Sequence, residues 1–434
     1  MTGKRALTME HIARMLGDRE AGELQKSLRP NMVDPPHVPS GGSKIDAARA
    51  AALWDEFGGN SESRHALLEN PIDDLAVYQG NIENALGVLR IPVGLAGPLR
   101  VNGIAAKGDY PIPLATTEAA LVASYHRGCK LINAAGGCAT LILYESVSRA
   151  PAFAFTTAAE AARFLIWASE QFDSFKEVAE TTTAHGKLMD VGCILEGNHA
   201  YLNFEFTTGD AAGQNMVTLA TQAVCDDILA RCPFPPLRHY VEGNVSGDKK
   251  ASARSFTSAR GRKITAEAIL PADIVAKHLH TSPAEMERYW RMSAIGGVLS
   301  GTIGIQGHFA NGLAALYLAT GQDVACVAES ATGVTRFEVT DEGALYAAVT
   351  LPGVMVGTVG GGTGLPSQHA CLDLMGLAGN GHARALAEVC AGLLLAGELS
   401  IIGALSAGHF SRAHRKLART RKTNDHPARQ VENS

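Results

Sequence analysis

Apolar positions recur at helical spacing in some stretches of the chain and alternate in others, and the two periods mark out its elements. Helical pieces are predicted over residues 9–16 and 44–57, with a Pro- and Gly-rich loop over 29–42 between them. Close-spaced Gly and Pro over 87–98 predict turns and short extended pieces. Thr116 and Thr117 precede Glu118 and an apolar-periodic run through Leu121, Val122, Tyr125 and Leu131. A helix is therefore predicted from the threonine pair, with Glu118 in its acidic first turn. Ala134-Ala135-Gly136-Gly137 should end it. Alternation over 153–156 and 199–206 predicts half-buried strands, and 158–172 and 215–230 read as helices. This order suggests a small α/β sandwich inserted in a larger domain. After 252 come a strand, Gly/Ala-rich helices, a Gly-rich loop over 357–364, and a long last helix from about Ala383.

Composition narrows the class. With 46% apolar and 19% charged positions among 434 residues, the chain is expected to be globular and well cored. A net charge of −5 gives no reason to expect nucleic acid as a partner. The one basic run, Arg412, Arg415, Lys416, Arg419, Arg421 and Lys422, suits a solvated helix end or a contact with cofactor or coenzyme A phosphates. None of the 8 cysteines forms a Cys-x-x-Cys pair, so they read as reduced, buried small hydrophobes of a cytoplasmic protein, and no metal is expected. The N-terminus has no apolar signal-peptide core. Residues 386–407 are long and apolar enough to span a bilayer, but they carry Glu388 and Glu398 and are rich in Ala and Gly. A buried helix is expected there, with no membrane partner.

The usual cofactor and nucleophile signatures, Gly-x-Gly-x-x-Gly, the P-loop, Gly-x-Ser-x-Gly and His-Glu-x-x-His, are absent. Four ionisable residues sit oddly in their surroundings. Glu118 opens an apolar helix, Lys249 lies in a polar turn, Asp323 follows an apolar helix, and His414 lies among basic residues. Singly, each suits a structural part: a helix-dipole carboxylate, a solvated loop, a turn residue, a surface histidine. Together they suit carbonyl reduction, in which an ammonium stabilises the oxyanion, a carboxylic acid supplies its proton, and an imidazolium protonates a departing thiolate. The turn over 209–216 suits a dinucleotide pyrophosphate at a helix N-terminus, and the loop over 357–364 allows close backbone approach to a ligand. Plain glycine turns remain the alternative for both.

Here whole strings become recognisable. Glu83-Asn-Ala-Leu-Gly87 with Ile91-Pro-Val-Gly-Leu-Ala-Gly-Pro98, Ala115-Thr-Thr-Glu-Ala-Ala-Leu-Val-Ala-Ser124, the 209–216 turn, Asp248-Lys-Lys250, Thr320-Gly-Gln-Asp323, the 357–363 loop and Gly397-Glu-Leu-Ser400 stand in order. This series resembles the hydroxymethylglutaryl-coenzyme A (HMG-CoA) reductases over residues 70–420, and its pattern looks like the class I branch without a membrane-spanning region. The resemblance implies an α+β fold: an N-terminal helical segment (1–82), a large helix-rich acyl-CoA domain (83–150 and 252–417), an inserted ferredoxin-like NADPH domain (151–241), a connecting catalytic loop (242–251) and a tail (418–434). It implies reduction of the thioester to mevalonate and free coenzyme A through a hemithioacetal and mevaldehyde, with NADPH favoured over NADH. Glu118 would be the acid, Lys249 the oxyanion stabiliser, Asp323 the residue tuning the pair, and His414 the proton donor to the thiolate. His409 also matches a family histidine but not the catalytic one. Glu83, Ser124, Arg149, Asn244, Lys250, Arg291 and Asn311 would meet the substrate. Asp210, Gly213, Gln214, Asn215, Met216, Gly360, Gly361 and Arg419 would meet the cofactor. The family's active sites lie between subunits, so a homodimer or higher homo-oligomer is expected.

The chain departs from that pattern at Glu242, where the family has Ser, and at Arg291, His126 and Gln214, which replace Lys, Asn and Met; the segment 251–256 and Ala184 also differ. An added carboxylate at Glu242 is expected to repel a substrate carboxylate. Two alternatives therefore stay open: a reductase of another branched acyl-CoA, or a non-catalytic acyl-CoA-binding homologue.

Overall fold

The computed structural model describes residues 21–37, 47–57, 60–65, 75–78, 88–258 and 260–408, with Ala13, Gly17 and Asn81. The helix expected over 9–16 lies outside the described residues apart from Ala13. Helices α1 (Ala21–Ser27), α2 (Ala47–Phe57) and α3 (Ser61–Arg64) lead into the body of the fold. The Asn60 side chain caps α3 by accepting from the Ser63 N–H at 2.7 Å.

Strands β1 (Val93–Gly103) and β2 (Lys107–Ala115) pair antiparallel. The expectation of turns and short pieces over 87–98 is thus only half right, because Pro98 lies inside β1. The pairing register slips between Ala96 and Leu99, and this irregularity admits a residue that cannot donate to the ladder. Helix α4 (Leu121–Ala134) starts later than predicted, after Ala120 in the left-handed region at φ 72°. The Thr116 hydroxyl accepts from the Glu118 N–H at 3.0 Å, so the threonine closes a turn instead of capping the helix. Glu118 consequently stands in the loop before α4.

Strand β3 (Cys138–Arg149) is the spine of the molecule. It is followed by β4 (Ala152–Ala154), α5 (Ala158–Ser169), α6 (Phe172–Thr181), β5 (Lys187–Glu196), β6 (His199–Thr207), α7 (Gln214–Arg231) and β7 (Arg238–Tyr240). The predicted helix over 158–172 is really two, broken at Glu170 and Gln171. The break lets Phe175 of α6 meet Trp167 of α5 edge-on at 6.1 Å and Phe204 of β6 at 5.8 Å. Then come β8 (Gly261–Leu270), α8 (Ala272–Leu279), α9 (Pro283–Ser300), β9 (Gly304–Ile305), α10 (Phe309–Thr320), α11 (Val327–Ser330), β10 (Gly333–Val339), β11 (Leu345–Val354), α12 (Pro366–Leu374) and α13 (Ala383–Ser406).

The strands run in the order β7-β4-β6-β3-β8-β11-β10-β9, with β1 beside β3, β2 beside β1 and β5 beside β6. Residues 139–146 of β3 pair with β8, and Val147 to Arg149 pair with β6. One strand therefore joins the two halves of the sheet, and its last residue, Arg149, emerges at their junction. This is an α+β fold.

Helix α13 forms the centre, packed against α4, β1, β3, β8 and β11. It is long and apolar enough to cross a membrane by composition, but most of it is buried inside the protein. A Cβ at Gly128 of α4 would collide with the Ala396 carbonyl of α13, so glycine there sets the close helix approach. Glu388 and Glu398 of α13 are fully buried, each accepting from backbone N–H groups. All eight cysteines are free; Cys193 is exposed, contrary to the expectation that all are buried.

Candidate active site

The segment 242–250 leaves the small half of the sheet as a series of turns. Lys249 takes φ 56°, in the left-handed region, and its ammonium reaches the Asp323 carboxylate at 2.8 Å. Both side chains are partly exposed, as groups meant to meet a ligand must be. The hydrogen bond to Asp323 holds the Lys249 ammonium above its ordinary pKa. Partial burial opposes ionisation of Asp323, but Lys249, Gln214 and the Ala325 N–H outweigh it and hold the carboxyl below its usual range.

Gln214 links this pair to the glycine turn. It is the first residue of α7, after Gly213 at φ 73°. Its amide donates to Asp323 Oδ2 at 3.2 Å and its Oε1 accepts from Arg260 at 3.3 Å. No side chain caps the start of α7. The second glycine segment lies against the first: Thr358 N–H donates to the Asp210 carbonyl, and a Cβ at Gly357 would come within 2.6 Å of the Ala212 nitrogen. Gly360 and Gly361 have positive φ with open space above them. Uncapped amides beside small residues suit a dinucleotide's phosphates. Asn215 is exposed in the first turn of α7, and Met216 accepts from the Thr183 hydroxyl. The Asp210 carboxylate accepts from the Gly381 and Ala383 N–H groups at the start of α13.

Arg149 is buried and ion-paired to Asp248 at 3.0 Å and to Glu242 at 3.2 Å. Lys250 donates to the Asp248 carbonyl at 2.9 Å. Asn244 has φ 66° and gives its N–H to Glu242 at 2.6 Å. These residues, with Lys249 and Asp323, form one charged cluster.

Glu118 belongs to a second cluster. Both its oxygens accept from the Asn311 amide, at 3.2 and 3.0 Å. Asn311 lies in the first turn of α10, and Asp323 lies just past the end of the same helix. About 14 Å of helix separates Asn311 from Thr320, so Glu118 and Lys249 sit at opposite ends of α10. No ion pair joins them within the chain. Ser124 bonds Ser400 at 2.9 Å, and Arg291 pairs with Glu287 of its own helix at 2.7 Å, so neither joins the charged cluster. Glu83, His409, His414 and Arg419 lie outside the described residues.

Sequence reasoning gave no site role to four supporting residues. Asp248 and Arg260 pair at 2.8 Å, and Arg260 pairs with Glu329 at 2.5 Å. Glu398 accepts from the N–H groups of Gly307 and His308, fixing the start of α10 beneath Asn311. Two left a trace in the sequence: Asp248 opens the Asp248-Lys-Lys250 string, and Glu398 is a charge in an apolar run.

A lysine–carboxylate pair adjoining a glycine-lined helix N-terminus is the equipment of a hydride-transfer oxidoreductase. Solved structures of HMG-CoA reductase from Streptococcus pneumoniae share this fold. One, described as a class II enzyme bound to NADPH, matches with a TM-score of 0.69 at 19% identity, covering 83% of this chain and 97% of that one. A family model for hydroxymethylglutaryl-coenzyme A reductase matches residues 47–419. The 3-hydroxy-3-methylglutaryl-coenzyme A reductase of Pyrococcus abyssi is 45% identical over 358 residues, covering 80% of this chain and 87% of that protein. That of Methanothermobacter thermautotrophicus is 45% identical over 350 residues, with the same coverage. The chain belongs to the hydroxymethylglutaryl-coenzyme A reductase family.

Proposed function

We propose that this chain reduces HMG-CoA to mevalonate and free coenzyme A, with NADPH, at sites shared between two subunits. The observation that carries the reading is the Lys249–Asp323 pair at 2.8 Å, tied through Gln214 to the start of α7. NADPH, when bound, supplies hydride. The residues to hold it are the first amides of α7, Gly360 and Gly361, with Arg419 for the 2′-phosphate, in preference to NADH.

The Lys249 ammonium stabilises the negative charge that develops on the carbonyl oxygen. Asp323 orients that ammonium and keeps it charged. Glu118 supplies the proton to the oxygen, from a carboxyl oriented by Asn311. His414 protonates the coenzyme A thiolate as it leaves. Arg149, Asn244 and Lys250 lie at the acyl end.

Glu118 and Lys249 stand at opposite ends of α10, and in this reading a second copy brings its Glu118 to the Lys249 of the first. Helix α9 carries a face for such a partner: Met292, Ile295, Val298 and Leu299 are all exposed, Leu299 at 83%. Arg291 lies beside this face and would meet substrate across the interface. The class I assignment rests on the sequence pattern alone. A cytoplasmic location agrees with eight unpaired cysteines.

The test follows absorbance at the nicotinamide band with HMG-CoA and each of NADPH and NADH. Mevalonate formed with two equivalents of NADPH oxidised supports the reading. A purified, folded protein that oxidises neither cofactor with HMG-CoA refutes it.

A further inference from the structure

Glu242 is set in a cage of donors. Its Oε2 receives Arg149 Nη1 at 3.2 Å, the Ser246 hydroxyl at 2.9 Å and the Ala150 N–H at 3.3 Å, and its Oε1 receives the Asn244 N–H at 2.6 Å. A buried guanidinium, two backbone N–H groups and a hydroxyl converging on one carboxylate constitute an anion site. Here the anion comes from the chain itself.

The charge balance around Arg149 sharpens the point. Arg149 is buried and faces two carboxylates, Glu242 and Asp248. Asp248 has a second cation, since Arg260 lies 2.8 Å from its other oxygen. Glu242 has no second cation among the described residues. Glu242 therefore takes up, through Nη1, part of the charge that Arg149 would offer an incoming anion. Lys249 and Lys250 follow within the same loop, so the caged carboxylate adjoins the proposed reaction centre.

We propose that Glu242 is a specificity-determining residue: its carboxylate occupies the Arg149 anion site from within and lowers the enzyme's preference for acyl-CoA esters that carry a distal carboxylate, HMG-CoA among them. This rests on the reading of the site as an acyl-CoA thioester reductase. An acyl group ending in a carboxylate must displace Glu242 or lie against it, and both cost binding energy. An acyl group with an uncharged end pays neither cost.

The experiment compares two esters, HMG-CoA and 3-hydroxy-3-methylbutyryl-CoA, which differ by the distal carboxylate. Dissociation constants are measured by calorimetry, and kcat/KM by NADPH oxidation, for the wild type and Glu242→Gln. Glutamine keeps an acceptor for the backbone donors and removes the charge. The preference for HMG-CoA over the uncharged ester should rise by about tenfold or more in the variant, in both measurements. A smaller rise in either overturns the proposal. Where the variant does not fold, the wild type decides: an HMG-CoA preference in binding below about tenfold supports the proposal, and a larger one overturns it. Failure of the underlying reading is distinct, because a wild type that reduces neither ester refutes the reductase assignment itself.

Discussion

Lys249 reaches Asp323 at 2.8 Å from a backbone held in the left-handed region, φ 56°. The turn that imposes this φ aims the side chain across the sequence gap to the end of α10. Exposed ion pairs are worth at most about 1 kcal/mol, and these side chains are 43% and 35% exposed. The pair is therefore a poor stabiliser of the fold and a well-aimed cation. Lys249→Ala should lower kcat by about 10²- to 10³-fold while leaving the thermal midpoint within a few degrees. Near-normal turnover in this variant would remove lysine from the mechanism.

Gln214 donates to the same Asp323 oxygen that Lys249 uses. This donor helps hold the Asp323 carboxyl below its ordinary range. A methionine at this position cannot donate. In Gln214→Met the Asp323 pKa rises, so the carboxylate is lost at a higher pH as acid is added. The acid limb of the kcat/KM profile should move toward neutral pH. A limb that stays in place, or moves the other way, contradicts the role of Gln214.

The long helices were legible because burial writes itself into periodicity. The helix expected from about Ala383 is α13, and its two acids sit inside the protein satisfied by backbone donors. The start of α4 was not legible, because Thr116 forms the same hydrogen bond in a turn that it would form as a helix cap. The break between α5 and α6 has no Gly or Pro to announce it; aromatic packing from β6 decides it. At the site, the single residues were visible but their partners were not. Gln214 and Asp323 are separated by 109 positions, and Arg149 and Glu242 by 93. Such pairings follow from the path of β3 through both halves of the sheet, which no local spacing records.

Glu388 makes a separate prediction about stability. Burial pushes its carboxyl up to about 7, against the pull of the Ala106 and Ala105 N–H groups. A raised acid favours the protonated form in the folded state. Its contribution is fully present below the unfolded pKa, roughly 4.3, and is lost as pH rises through about 7. The loss is of the order of 3 kcal/mol. Urea midpoints of the wild type should fall between pH 5 and 8 more steeply than those of Glu388→Gln, which has no proton to lose. Equal slopes would show that this carboxyl does not titrate in the window.

Mixed subunits test the division of the site along α10. Glu118→Gln and Lys249→Ala each disable every site of a homodimer. In a mixed dimer with shared sites, one site receives both lesions and the other receives the intact Glu118 of one chain and the intact Lys249 of its partner. Random pairing makes half the dimers mixed, so co-refolding equal amounts should restore about a quarter of wild-type activity. If each site were built within a single chain, every site would keep one lesion and no activity would return. The same outcome would follow if the chains did not exchange, so exchange is checked with a tagged copy of one variant. Recovery that tracks the fraction of mixed dimers assigns Glu118 and Lys249 to opposite subunits; mixed dimers without activity assign them to one.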